Sequence, residues 1–373
     1  MKKIFWFNIV IIIFIIVVIR YNNISKTFTQ DRVTYALTLD GVSVNNFPSK
    51  GVYRVDVECS NANGKWLYDE WKLAVEDING TNATCDISFN TISTTYLNNY
   101  IIGLSGTTQG TGQVVQENGY RYEGKDPNNY IWFNNELWRI IGVFNSASHG
   151  VSGQNLVKIM RADSIGGLVW NKNKVNDWTQ ASLMNLLNGV YLNSENGSGG
   201  EYCYGYETNT PGNCDYTETG INDTYRSMIE NVTWHLGGYS GTNATAEAFY
   251  GYERGTTVYS GRPTSTTGYI GLMYPSDYGY SVLASSCART TNLGDYDSSS
   301  CAGQSWLYSY GYEWTITHKS SANDRTFIVY SSGNILDTQN TIGYNLRPTV
   351  YLKSAIYVLD GDGSIINPYI IGM

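Results

Sequence analysis

NYIWFNNELWRIIGVF, residues 129–144, is the stretch that decides how this chain is read. Two apolar runs flank Asn134 and Asn135, residues that tolerate the left-handed backbone of a tight turn, so the stretch predicts a β-hairpin. LVKIMRADSIG, residues 156–166, continues as a further strand. A helix is expected from about Asp177, a suitable N-cap, with Trp178, Ala181, Leu186, Val190 and Tyr191 roughly on one face. A second is expected near 221–231, where Ile221, Tyr225, Met228 and Ile229 form a stripe, and a third through ATAEAFYGYER at 244–254. Strand patterns return in YIGLMY, EWTITH, TFIVYS and RPTVYLK. Strands, then helices, then strands is the segregated order of an α+β domain, expected to occupy residues 119–373.

Upstream, residues 91–118 contain GLSGTTQGTGQVVQENG, whose Gly, Thr and Gln content reads as a flexible linker. Residues 27–90 alternate apolar and polar side chains in YALTLDGV, GVYRVDVEC and ATCDISF, which predicts a small β-sandwich. Trp66, Trp71 and Leu73 lie between Cys59 and Cys85, in the manner of an immunoglobulin-like Trp packed on a cross-sheet disulfide. This domain is expected to act as a spacer.

Residues 1–26 read as a cytoplasmic tip and signal anchor. Lys2 and Lys3 precede an apolar run from Ile4 to Ile19, and Arg20 closes it. At about 1.5 Å per residue the run is a little short of the roughly 30 Å hydrocarbon core, so an uncleaved anchor competes with a cleaved signal peptide. No small-x-small cleavage site follows. Both readings export the rest of the chain, because the lysines hold the first residues inside. The expected location is a single-pass cell-membrane protein with extracellular domains.

The six cysteines fit an oxidising compartment. Sequential pairing, Cys59–Cys85, Cys203–Cys214 and Cys287–Cys301, is the simplest of 15 connectivities, with free buried thiols as the alternative. No C-x-x-C occurs and His149, His235 and His318 lie near no paired cysteines, so neither a metal site nor a cofactor is expected. A net charge of -8 without a basic stripe argues against a nucleic-acid partner. Charged residues are only 15% of the chain, and 32 tyrosines with many Asn, Ser and Thr replace them, a surface solvated by hydroxyls and amides.

Several strings carry a resemblance: GYRYEGKDPNNYIWFNNELWRIIGVF, VKIMRADSIG, WTQASLMNLLNGVYL, IGLMYPSDYGYS, RPTVYLKS and the closing GDGSIINPYII. Over about 250 residues they resemble an uncharacterised bacterial family of exported proteins, and VECSNANGKWLYDEWKL…CDISF resembles a companion placed before that domain. The element order is also similar to the C-type-lectin-like fold shared with formylglycine-generating enzymes. That analogy concerns fold and leaves function open.

Candidate chemistry is sparse. DGDGS at 360–364 begins like a calcium loop but lacks the later acidic ligand, so a tight turn is the simpler reading. No G-x-S-x-G occurs. The resemblance to formylglycine-generating enzymes implies a closely spaced reactive cysteine pair, yet 14 residues separate Cys287 from Cys301, a spacing that suits a structural bridge. Arg139 and Arg347 sit in apolar text and call for carboxylate partners, for which Glu136, Asp163 and Asp277 are candidates. The expected recognition face is the polar loop 287–303, including Asp295, with the aromatics after it. Trp306, Tyr308, Tyr310 and Tyr312 alternate as on one strand face, ahead of Trp314. Such a face is a binding surface if exposed and core if not. The function expected is a surface-displayed recognition or adhesion module for glycan or protein ligands, without catalysis. A structural envelope protein is the alternative, and a formylglycine-generating oxidase comes third.

Overall fold

The computed structural model describes residues 32–68, 70–80, 82–91, 95–200, 203–204, 212 and 214–373. The expected anchor lies outside these residues. Among the described residues no helix is long and apolar enough to cross a membrane. The chain divides after Ser93 into two compact units.

In the first unit, β1 (Arg32–Leu39), β2 (Val42–Val44), β3 (Tyr53–Ser60) and β6 (Asn82–Thr91) form one sheet in the order β2-β1-β6-β3, with β1 and β6 parallel. β4 (Asn63–Leu67) and β5 (Lys72–Glu76) form a separate hairpin. Alternation along β6 buries Ala83, Cys85, Ile87 and Phe89 and exposes Thr84 and Asp86 between them. Trp66 is buried edge-on against Phe89, centroids 5.0 Å apart, and against Trp71 at 5.3 Å. The disulfide differs from the cross-sheet device expected. Cys59 and Cys85 are directly opposed on neighbouring strands of the same sheet, with Cα atoms 4.0 Å apart. The hairpin meets this bridge at Gly64, where any side chain would collide with the Cys59 sulfur.

The second unit is α+β, with short helices on a largely stranded frame. β8 (Thr108–Gln109), β9 (Gly112–Gln116), β10 (Tyr120–Gly124), β12 (Glu136–Phe144), β13 (Leu156–Arg161), β22 (Thr349–Leu352) and β17 (Ile270–Gly271) lie side by side in that order, and β11 (Tyr130–Phe133) also pairs with β12. The predicted hairpin is β11–β12, and Asn134 and Asn135 take φ of 57° and 60° at its turn. A second sheet runs β14 (Gly167–Val169), β21 (Gly343–Asn345), β18 (Glu313–His318), β19 (Arg325–Val329), β20 (Ile335–Gln339). β15 (Val232–His235) pairs with β16 (Ser265–Gly268). The unit closes on itself, because β23 (Tyr357–Asp360) lies between β24 (Ile370–Gly372) and β7 (Thr95–Tyr96).

Of the linker expected at 91–118, the described residues 95–118 are ordered structure instead. They hold the helix Leu97–Gly103, whose Leu97 and Ile101 are fully buried, and strands β8 and β9. Their Gly and Thr residues belong to turns and a hairpin, a use that composition cannot separate from flexibility. The helix expected from Asp177 is broken into a 3-10 turn at Trp178–Gln180, an α-turn at Ser182–Leu186 and a π-turn at Leu187–Tyr191. Asp177 caps it by accepting from the Thr179 amide at 3.0 Å. The helix near 221–231 shrinks to Asp223–Arg226, whereas Ala246–Glu253 forms as expected, capped by Thr245.

Buried charges stitch the second unit together. The Asp277 carboxylate accepts from Arg121 Nη1 at 2.9 Å and Lys158 Nζ at 2.5 Å, and all three side chains are at most 2% exposed. Both cations hold the Asp277 carboxyl far below the usual carboxylate range. Burial pushes Lys158 down to about 8. Nearby, burial raises Glu253 to about 7, although Ser276 donates to it through both its amide and its hydroxyl. The arginines singled out in the sequence do bind carboxylates, with different partners. Arg139 uses Asn129 and Asp126, and Arg347 uses Glu313. Glu136 pairs with Arg161, and the Asp163 carboxylate is exposed.

Candidate functional site

The loop after Cys287 is held by its bridge to Cys301, and Cys203 is likewise joined to Cys214. Two 3-10 turns, Leu293–Asp295 and Ala302–Gln304, shape the loop. Asp295 is exposed at its edge and accepts from Asn243 Nδ2 at 3.0 Å.

The residues that follow are not a strand until Glu313, so 306, 308, 310 and 312 do not share a strand face. Trp306 is core. It is 5% exposed, donates through Nε1 to the Tyr122 carbonyl at 2.9 Å and lies 4.8 Å from the Arg139 guanidinium. Its place in the expected recognition face is therefore withdrawn, because a buried ring whose only donor is satisfied inside the protein presents neither face nor N–H to a ligand. Tyr308 is also buried, and its hydroxyl donates to the Ser331 carbonyl at 2.6 Å.

Tyr310 is different. Its side chain is 67% exposed and its backbone is left-handed at φ 56°. A bulky residue avoids that region, which costs roughly 1–2 kcal/mol, so the surrounding structure must hold it there. Its ring packs on Tyr308 at 4.4 Å.

Beside this pair, Tyr312 stacks on Tyr344 at 4.9 Å and meets the edge of Tyr330 at 4.7 Å. All three are half-buried. Hydrogen bonds with Ser331 and Tyr330 lower the Tyr312 phenol, and the bond to Tyr312 raises that of Tyr330. Tyr308 and Tyr312 thus both engage Ser331, which joins five tyrosines into one patch.

The patch has a rigid support. Arg347 grips Glu313 with Nε at 2.6 Å and Nη2 at 2.7 Å, and Nη2 also donates to the Leu307 carbonyl at 2.7 Å. Ser309 reaches the same carboxylate at 3.1 Å. This buried fork fixes the backbone on both sides of Tyr310. Sequence reasoning found Tyr308, Tyr310 and Tyr312 but missed Tyr330 and Tyr344. Their only signal was position: Tyr330 just past β19, and Tyr344 in β21.

The other groups weighed in the sequence are engaged elsewhere. Each histidine ring is engaged by the main chain: His149 Nε2 lies 3.1 Å from the Phe144 carbonyl, His235 Nε2 3.0 Å from the Ala147 carbonyl, and His318 accepts from the Tyr259 amide. Burial depresses all three, His318 to about 4. DGDGS forms a turn between β23 and β24, with Asp360 and Asp362 accepting from the amides of Gly361 and Ser364. Among the described residues no three His, Cys, Asp or Glu side chains cluster as a metal would need. Comparison of the chain with protein-family models, curated proteins and solved structures finds no match.

Proposed function

We propose that the protein is a surface-displayed recognition module that binds through the tyrosine patch around Tyr310. The carrying observation is Tyr310 itself, an exposed aromatic held in a costly backbone conformation by a buried ion pair. Tyrosine supplies ring area and a hydroxyl at a low entropy cost, and a pre-ordered surface lowers the cost of binding further. The same chemistry suits a glycan or a protein. A protruding ring favours a protein ligand. In this reading the segment Ile4–Ile19 anchors the chain, the first unit is a sandwich-like spacer, and the second is a C-type-lectin-like domain of the exported family it resembles. The three disulfides support an extracellular setting.

The test is to screen the full-length chain against arrays of surface proteins and glycans, then repeat any hit with Tyr310→Ala and Tyr312→Ala. Loss of the hit in both, with unchanged unfolding, supports the patch. A protein hit that survives both substitutions refutes it, and the absence of any hit favours a structural envelope protein.

A further inference from the structure

A second surface of the main unit has the chemistry of a saccharide site. An open groove with a cavity volume of about 620 Å³ lies beside the π-turn, within the range of roughly 300–1,000 Å³ common for small-molecule sites. Leu192 and Ile229, both buried, give it an apolar floor. Tyr269 is a wall, 38% exposed, and so presents a ring to anything seated there.

The wall is fixed by its neighbours. Asn188 Oδ1 accepts from the amides of Tyr269 and Ile270 at 2.9 and 3.0 Å, and Asn188 Nδ2 returns a bond to the Ile270 carbonyl at 2.8 Å. One asparagine thereby ties the π-turn to the strand entry that carries the ring.

The polar rim has both signs and both hydrogen-bonding senses. Asp223 and Glu230 oppose Arg226 and Lys353, so the groove's formal charges cancel. Arg226 is committed to Asp223 at 2.5 Å. Glu230, Asn231 and Lys353 also line the groove, adding a carboxylate, an amide and an ammonium to its rim.

An aromatic wall, an apolar floor and balanced donors and acceptors fit a pyranose, whose C–H face is apolar and whose hydroxyls both donate and accept. A phosphate or other anion would find equal numbers of acids and bases. We infer that this groove binds neutral hexopyranose units of a glycan, with the ring of Tyr269 against the sugar face. This site is separate from the tyrosine patch and does not depend on it.

The experiment uses the full-length chain and saturation-transfer NMR with glucose, galactose, mannose and N-acetylglucosamine and their trisaccharides, followed by titration of any binder. The expected result is saturation at one of these sugars, weakened at least about tenfold by Tyr269→Ala, a loss of about 1.4 kcal/mol. Tyr269→Phe should retain most of the affinity, which separates a ring platform from damaged folding, and Tyr310→Ala should leave it unchanged. The inference is overturned if none of these sugars binds, if binding is indifferent to Tyr269→Ala, or if Tyr310→Ala abolishes it and so moves the sugar to the other patch.

Discussion

Replacing Trp306 and Tyr310 one at a time separates core from surface within five residues of chain. Trp306→Ala removes a side chain only 5% exposed, and truncating a buried aromatic costs roughly 3–5 kcal/mol. It also strips the Tyr122 carbonyl of its indole donor, a further penalty of about 1–3 kcal/mol if water does not enter, and removes the ring that faces Arg139. These terms overlap, so the expected loss is about 4–6 kcal/mol, a large part of a domain's stability. Tyr310→Ala removes a ring that is 67% exposed and leaves the left-handed backbone strained, so its effect should stay within about 1 kcal/mol. Tyr310→Gly should be neutral or slightly stabilising, because glycine relieves the strain at φ 56°. The assay is urea unfolding of the oxidised protein, followed by pulsed hydrogen exchange of peptides from β10 and β18, which reports the second unit alone. A Trp306→Ala loss below about 1.5 kcal/mol, or a Tyr310→Ala loss above about 2 kcal/mol, would refute the division into core and surface.

Four further outcomes are expected. Asp277→Ala leaves Arg121 and Lys158 buried without their carboxylate and should cost about 3–5 kcal/mol in the same assay. Glu253, raised by burial to about 7 from an unfolded value of 4.5, stabilises the fold fully only below that unfolded value. Stability should therefore fall by roughly 3 kcal/mol as pH rises from 4.5 through 7, and Glu253→Gln should flatten that limb of a urea-midpoint profile. Replacing Cys287 and Cys301 together by Ser should cost roughly 3 kcal/mol, and non-reducing peptide mapping of the parent should recover all three bridges. Fractionation should place the chain with membranes, and protease added to intact cells should remove the second unit; a processed soluble form in the medium would mean a cleaved leader instead.

What the sequence settled by itself is local. Asn134 and Asn135 announced the hairpin because the turn needs two left-handed residues. Asp177 announced a helix start because a cap is satisfied within three residues. The cysteines pair in sequence order, across separations of 26, 11 and 14 residues.

Only the tertiary structure decided the remainder. Lys158 meets Asp277 across 119 residues, and Trp306 finds the Tyr122 carbonyl across 184. No local pattern encodes such partners, which is why Glu136 and Asp277 were matched to the wrong arginines. The alternation of Trp306, Tyr308, Tyr310 and Tyr312 misled for a related reason. Periodicity reports exposure only along a regular strand, and here the chain bends through a left-handed Tyr310 before β18 begins. The patch gained Tyr344 from β21 and Tyr330 from just past β19, strands of a sheet that sequence does not assemble. The groove beside Tyr269 draws on segments near 190, 230, 269 and 353, which only folding brings together.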